Sequence, residues 1–235
     1  MSDQHYVVVG GSHGIGLEIV RRLTAQGASV TVLSRTPPPI EASPAVGHQR
    51  WDATSDSLSS DDLPAKISGL AYCPGSINLG VFRSLKLEAL QADLEVNLFG
   101  AVKVLQAAYP GLQQTDRAGV VLFSTVAVGQ GLPMHAGVSA AKGAVEGLMR
   151  TLAAEWAPKV RVNCIAPALV DTPLSERLLS SDRRREAMAE VYPLKRYGQV
   201  ADIANVAELL LTSAGGWITG QVIGVDGGLS KIRTG

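Results

Sequence analysis

The chain has 235 residues, 46% of them hydrophobic, with 21 basic and 21 acidic side chains and a formal net charge of zero. That balance gives no electrostatic drive towards nucleic acid or an anionic membrane, and such a length and apolar content can build a core without disulfides or metal. The two cysteines, Cys73 and Cys164, are far apart with no CxxC or Cys/His spacing, which argues against a disulfide framework or a zinc site and for a reducing, cytoplasmic setting.

At the start, "MSDQH" runs straight into "YVVVG" (6–10), an apolar strand without the basic flank of a signal sequence. No apolar run reaches the roughly 18 residues of a membrane span. Further strands are predicted at "SVTVLS" (29–34), "LAYC" (70–73), "GVVLFST" (119–125), "VRVNCIA" (160–166) and "QVIGVDG" (221–227). Between them, "GLEIVRRLTAQG", "LEALQADLEVNLFGAVKVLQAAY", "AAKGAVEGLMRTLAAEWA" and "ADIANVAELLLTS" repeat apolar residues at helical spacing. "TPPPIEASPAVG" (36–47) reads as a Pro-rich loop, and the crossover over 52–68 as short and irregular. Strands nearly continuous in Val, Ile and Leu are covered on both faces. The βα alternation therefore predicts an α/β fold: a doubly wound (Rossmann), mostly parallel sheet of about seven strands with helices on both faces.

"VVVGGSHGIGLEIVRRL" places Gly10, Gly14 and Gly16 after a strand and at the start of a helix. Glycine there permits a tight turn and lets a pyrophosphate approach free N–H groups at the helix N-terminus, so the turn is predicted to hold a dinucleotide. At the end of the second strand stand Ser34 and Arg35, where a carboxylate would select a free ribose 2′-hydroxyl. A hydroxyl and a guanidinium suit a 2′-phosphate instead, which favours NADP(H) over NAD(H). His13 would add charge there if protonated.

Taken together, these motifs resemble the short-chain dehydrogenase/reductase family over nearly the whole chain. "GGSHGIG" is similar to its glycine motif, "WDATSD" to the segment whose aspartate contacts adenine, and "VNLFG" to the motif carrying Asn97. "FSTVAVGQG" resembles the segment bearing the catalytic hydroxyl, "NCIAPALVDTPL" the stretch that packs on nicotinamide, and "WITGQVIGVDGG" the C-terminal strand and subunit contact. The resemblance implies cofactor contacts from Gly10, Ser12, His13, Gly14, Ile15, Gly16, Ser34, Arg35, Asp52, Ala53, Cys73, Pro74, Gly75, Lys142, Pro167, Val170 and Thr172. It implies catalytic roles for Asn97, Ser124, Thr125, His135 and Lys142, and no metal. It also implies a single domain over 1–235 with a substrate lid at about 173–197, assembled as a homotetramer or homodimer.

Two departures stand out. Where the family has Asn-Asn-Ala-Gly, this chain has Tyr72-Cys73-Pro74-Gly75, so two bracing amides and a backbone donor are absent. The family's proton donor is a tyrosine four residues before the lysine, and here that residue is Val138. A placed acid is typically worth roughly 10²- to 10⁴-fold in rate. Three substitutes are open. His135 lies seven residues before Lys142, an offset similar to the Tyr-x6-Lys of bacterial enoyl-acyl carrier protein reductases. Thr125, thirteen before Val138 and next to Ser124, would polarise a carbonyl while water or ribose relays the proton. Tyr192 or Tyr197 would reach in from the lid, as is thought of the related 2,4-dienoyl-CoA reductases. The lid's Arg183, Arg184 and Arg185 read mainly as a solvated face, with an anionic substrate as the sharper alternative.

The expected activity is NADP(H)-dependent reduction of a small carbonyl or activated alkene, on a small-molecule or carrier-bound substrate. The alternatives are a catalytically silent dinucleotide-binding sensor or partner subunit, and a non-redox isomerase or dehydratase.

Overall fold

A computed structural model of the chain describes residues 4–40 and 43–233. The first three residues of "MSDQH", residues 41 and 42 of the Pro-rich stretch and the last two residues of the expected domain lie outside the described residues.

The strands are β1 (His5–Val9), β2 (Ser29–Ser34), β3 (Val46–Arg50), β4 (Gly69–Tyr72), β5 (Ala118–Phe123), β6 (Val160–Pro167) and β7 (Val222–Val225). They form one sheet in the order β3-β2-β1-β4-β5-β6-β7, and every neighbouring pair is parallel. The chain winds outward from β1 through β2 to β3, then returns to lay β4 on the other side of β1. The register pairs Val9 with Leu33 and with Tyr72. The segments after Val9 and Tyr72 therefore start side by side at the carboxyl edge, where doubly wound sheets open a crevice.

Alternation decides which face each side chain buries. Val7 and Val9 join a core with Leu105 and Leu112 of α3 (Gly100–Leu112) and Val145 and Met149 of α5 (Ala136–Trp156). Tyr6 and Val8 join the opposite core with Ile19, Val20 and Leu23 of α1 (Gly14–Ala25) and Ile203, Ala207 and Leu210 of α7 (Val200–Leu211). Both faces of β1 are buried, so it reads as an unbroken apolar run.

Four features differ from the periodicity reading. The Pro-rich loop ends at β3, an edge strand of mixed half-buried and exposed side chains with no apolar run to betray it. The helix read over 87–109 is two: α2 (Leu87–Leu94) and α3, joined by one π-helical turn, Glu95–Phe99. The short α4 (Val126–Gln130) and the polar α6 (Asp182–Val191) carry too little apolar pattern to show in sequence. The 52–68 crossover, by contrast, is short and irregular as expected, holding only a 3₁₀ turn, Ser60–Asp62. Among the described residues, no helix is long and apolar enough to cross a membrane, and no cluster of three or more His, Cys, Asp or Glu could hold a metal ion.

Candidate functional site

The carboxyl edge of the sheet assembles the site from the ends of β1, β4, β5 and β6. The β1–α1 turn is built by exclusion of side chains. A Cβ at residue 16 would stand 2.3 Å from the Gly10 carbonyl oxygen, so helix and turn approach as only glycine allows. Gly10 and Gly14 adopt φ of 75° and 57°, conformations that favour glycine. His13 caps α1 without a side-chain hydrogen bond, and the first turn holds no acidic residue. The free amides and the positive end of the helix dipole thus face outward, which suits an anion. Ser12 is buried, its hydroxyl 3.0 Å from His13 Nδ1, while Ile15 is half-buried and His13 exposed.

Two further segments border this turn. Pro74 lies 3.3 Å from where a Gly10 Cβ would be, and Cys73 N donates to Val9 O at 3.0 Å, so the Tyr-Cys-Pro-Gly segment keeps a backbone bond to β1. Thr172, beyond the end of β6, lies 3.6 Å from the corresponding point on Gly14. Pro167 closes β6, and Val170 is buried against Gly198.

Beyond β2, Arg35 is exposed. Ser34 is buried and donates its hydroxyl to Thr36 O at 2.7 Å, so its proton is committed to the backbone two residues on. Asp52 Oδ1 accepts from Thr54 N (2.9 Å) and Thr54 Oγ1 (2.7 Å), which hold its carboxyl below the usual carboxylate range, with Arg35 and Arg50 adding a smaller electrostatic pull. Ala53 O accepts from Lys103 Nζ at 3.1 Å.

The catalytic candidates meet around α5. Val138 and Lys142 are both buried, four residues apart on this helix. Lys142 makes no hydrogen bond among the described residues, and burial lowers it from its ordinary value to about 8. Its Nζ and Asn97 Oδ1 stand 3.4 and 3.2 Å from where a Cβ on Gly75 would be, so that glycine leaves the floor open to both. Asn97 Nδ2 donates to Asp93 O (2.8 Å) and Ser76 Oγ (3.0 Å). Thr125 caps α4, accepting from Ala127 N at 3.3 Å, which leaves its proton available. Ser124 instead donates to Glu146 Oε1 at 2.6 Å, and the other Glu146 oxygen takes Arg150. His135 Nδ1 lies 2.7 Å from Pro133 O. A carbonyl only accepts, so Nδ1 carries a proton and Nε2 is the nitrogen free to exchange one.

The two tyrosines of the 173–197 segment are engaged. Tyr192 is buried, accepts from Leu169 N at 3.1 Å and is pushed upward by burial. A cavity of about 120 Å³ opens beside it, walled by Leu169, Gly198 and Val225. Tyr197 accepts from Arg185, which also holds Asp171 at 2.9 Å. Arg184 bonds Ser180 and the Arg177 carbonyl, so two of the three consecutive arginines brace the segment and Arg183 remains exposed.

Sequence reasoning passed over Asp93, Ser76, Asn78 and Glu146. Asp93 was legible in one respect: it shares the i, i+3, i+4, i+7 stripe with Leu90, Leu94 and Asn97, where an acid on an otherwise inward stripe asks for a partner.

Residues 9–230 match a family model described as enoyl-(acyl carrier protein) reductase. L-xylulose reductase of Bos taurus is 29% identical, covering 97% of this chain and 97% of its own. The inactive 2-(S)-hydroxypropyl-CoM dehydrogenase 2 of Xanthobacter autotrophicus is 30% identical over 91% of this chain and 100% of its own. The structure of a short-chain type dehydrogenase/reductase from Mycobacterium ulcerans superposes with a TM-score of 0.85 at 30% identity, covering 99% of this chain and 92% of that one.

Proposed function

This chain belongs to the short-chain dehydrogenase/reductase family, and from that premise we propose an NADP(H)-dependent oxidoreductase that reduces a small carbonyl or activated alkene without the family's tyrosine. The observation that carries the reading is the buried, unbonded Lys142 ammonium beside a glycine turn with free helix N–H groups. A desolvated cation with no hydrogen-bond acceptor of its own is suited to ligand hydroxyls.

When bound, the nicotinamide supplies the hydride. The β1–α1 turn holds the pyrophosphate, and Lys142 donates to the ribose hydroxyls. Thr125 hydrogen-bonds the substrate oxygen through its free O–H, keeping its proton, and polarises it. The protonated His135 ring then offers Nε2–H as the acid that Val138 cannot be. NADP(H) preference rests on Arg35 alone, since the Ser34 hydroxyl is committed to Thr36. The homotetramer or homodimer we propose would cover Trp217 beside β7, which is 99% exposed in the single chain.

Fluorescence titration with NADPH and NADH tests the reading, and binding of neither would overturn it. Arg35→Asp is expected to weaken NADPH at least about tenfold, roughly 1.4 kcal/mol, and to leave NADH nearly unchanged. Tighter NADH binding by the unaltered protein would refute the preference. For the chemistry, NADPH oxidation is followed over ketones, quinones and enoyl thioesters. His135→Ala should lower turnover by roughly 10²-fold, and an unchanged rate removes the histidine as acid. Val138→Tyr puts a phenol one helical turn from Lys142 and should raise ketone reduction; no gain would mean that the pocket is not shaped for carbonyls.

A catalytically silent dinucleotide-binding protein is the second reading. It draws on Val138, on the commitment of Ser124 to Glu146, and on the inactive Xanthobacter relative.

A further inference from the structure

Asp93 is fully buried, yet half of its carboxylate is unused. Oδ1 accepts from Ser76 Oγ (2.5 Å) and Asn78 Nδ2 (2.7 Å), whereas Oδ2 meets no donor. That oxygen lies 2.8 Å from where a Cβ on Gly137 would be, so a carboxylate on α2 reaches the first turn of α5 because residue 137 lacks a side chain. Asn97, one turn along, grips the Asp93 carbonyl and Ser76 together, and its own Oδ1 also lacks a donor. Across Gly75 from that amide oxygen stands the unbonded Lys142 ammonium.

A buried ammonium needs a nearby anion, because the attraction of a counter-charge is what offsets lost hydration. The groups whose charge acts on Lys142 are Cys164 on β6, Cys73 after β4, and Asp93 on α2. Burial pushes both thiols up to about 12, so neither is charged at neutral pH. Glu146, one turn further along α5, is taken by Ser124 and Arg150. Glu95, on the π-helical turn, is not among the groups acting on the lysine. Asp93 is the anion that remains.

We propose that Asp93 is a positioning residue for Lys142: the buried counter-charge, carried on a different helix, that keeps the ammonium protonated and held towards Gly75 through the neutral pH range. Its use rests on the dinucleotide-binding reading; its electrostatics do not. An opposite charge favours the protonated lysine, so neutralising Asp93 moves the Lys142 midpoint downward, into the physiological range.

The test therefore has two arms. In the first, lysine 13Cε resonances of the ligand-free protein are titrated, with Lys142→Met for assignment. Asp93→Asn should lower the Lys142 midpoint by about one pH unit or more; coincident midpoints in a folded variant overturn the proposal. In the second, NADPH affinity is measured at pH 6 and pH 8. The variant should match the unaltered protein at pH 6 and bind several-fold more weakly at pH 8, whereas equal weakening at both would mark a merely structural role and refute the charge argument. If the unaltered protein binds neither dinucleotide, the functional reading fails, and the resonance titration still decides on Asp93. Should Asp93→Asn not fold, Asp93→Ser keeps an acceptor for Ser76 and Asn78 without the charge.

Discussion

Gly16→Ala is expected to abolish dinucleotide binding and to destabilise the fold by roughly 3 kcal/mol, at the upper end of what overpacking typically costs. The added Cβ would stand 2.3 Å from Gly10 O, 2.9 Å from Gly10 C and 3.1 Å from Gly11 Cα. All three are backbone atoms, so no side chain can rotate away. The relief has to come from moving α1 off the end of β1, and that displacement dismantles the turn meant to take the pyrophosphate. Gly14→Ala provides the contrast: its Cβ would have ordinary space, 3.6 Å from Thr172 Cγ2, but its φ of 57° strains any L side chain. It should cost about 1 kcal/mol and leave binding detectable. Thermal or urea unfolding and an NADPH titration on both variants check the order, and a wild-type-like Gly16→Ala would refute the close-approach argument.

Lys142→Met should move stability and binding in opposite directions. Lys142 falls from 10.5 when exposed to about 8 when folded, because burial penalises the charged form. Below the folded value the lysine is charged in both states and the folded state bears the full penalty. Between about 8 and 10.5 the unfolded chain binds more protons, so stability rises with pH there, and above 10.5 the penalty is gone. The 2.5-unit difference corresponds to roughly 3 kcal/mol. Methionine carries no charge, so Lys142→Met is expected to be the more stable protein at pH 7 by an amount of that order. The advantage should shrink towards pH 10.5, while NADPH no longer raises the melting temperature. Urea unfolding at both pH values measures the first effect and ligand-dependent melting the second. A variant less stable at pH 7 would mean that the attraction between the ammonium and Asp93 outweighs the cost of burying it.

What the sequence disclosed follows physical pattern. Six strands were legible because both faces of this sheet are buried, which leaves runs such as "YVVVG" and "VRVNCIA". β3 was not, because an edge strand bordered by a Pro-rich loop shows neither a run nor a clean alternation. The glycine turn was legible because the spacing of residues without side chains survives in one dimension. The pairing of Asp93 was not, since its partners Ser76 and Asn78 are sequence-distant and the approach of its carboxylate to α5 depends on Gly137 of another helix. The Ser34 hydroxyl illustrates the opposite failure: its position pointed to phosphate, and a local bond to Thr36 decided otherwise.

The π-helical turn at Glu95–Phe99 has a consequence for how this site can change over generations. A π-helical turn accommodates one residue more than an α-helical turn, so it acts as an insertion held inside a helix. Deleting a single residue there would let α2 and α3 fuse into one regular helix with their faces still in phase, whereas a deletion elsewhere in α2 would rotate the residues before it by about 100°. In the first case Asp93 keeps its face towards α5, and in the second it swings away. The turn thus holds one residue in reserve: a one-codon deletion there spares the wall that carries Asp93, and the same deletion a few residues earlier would re-index it.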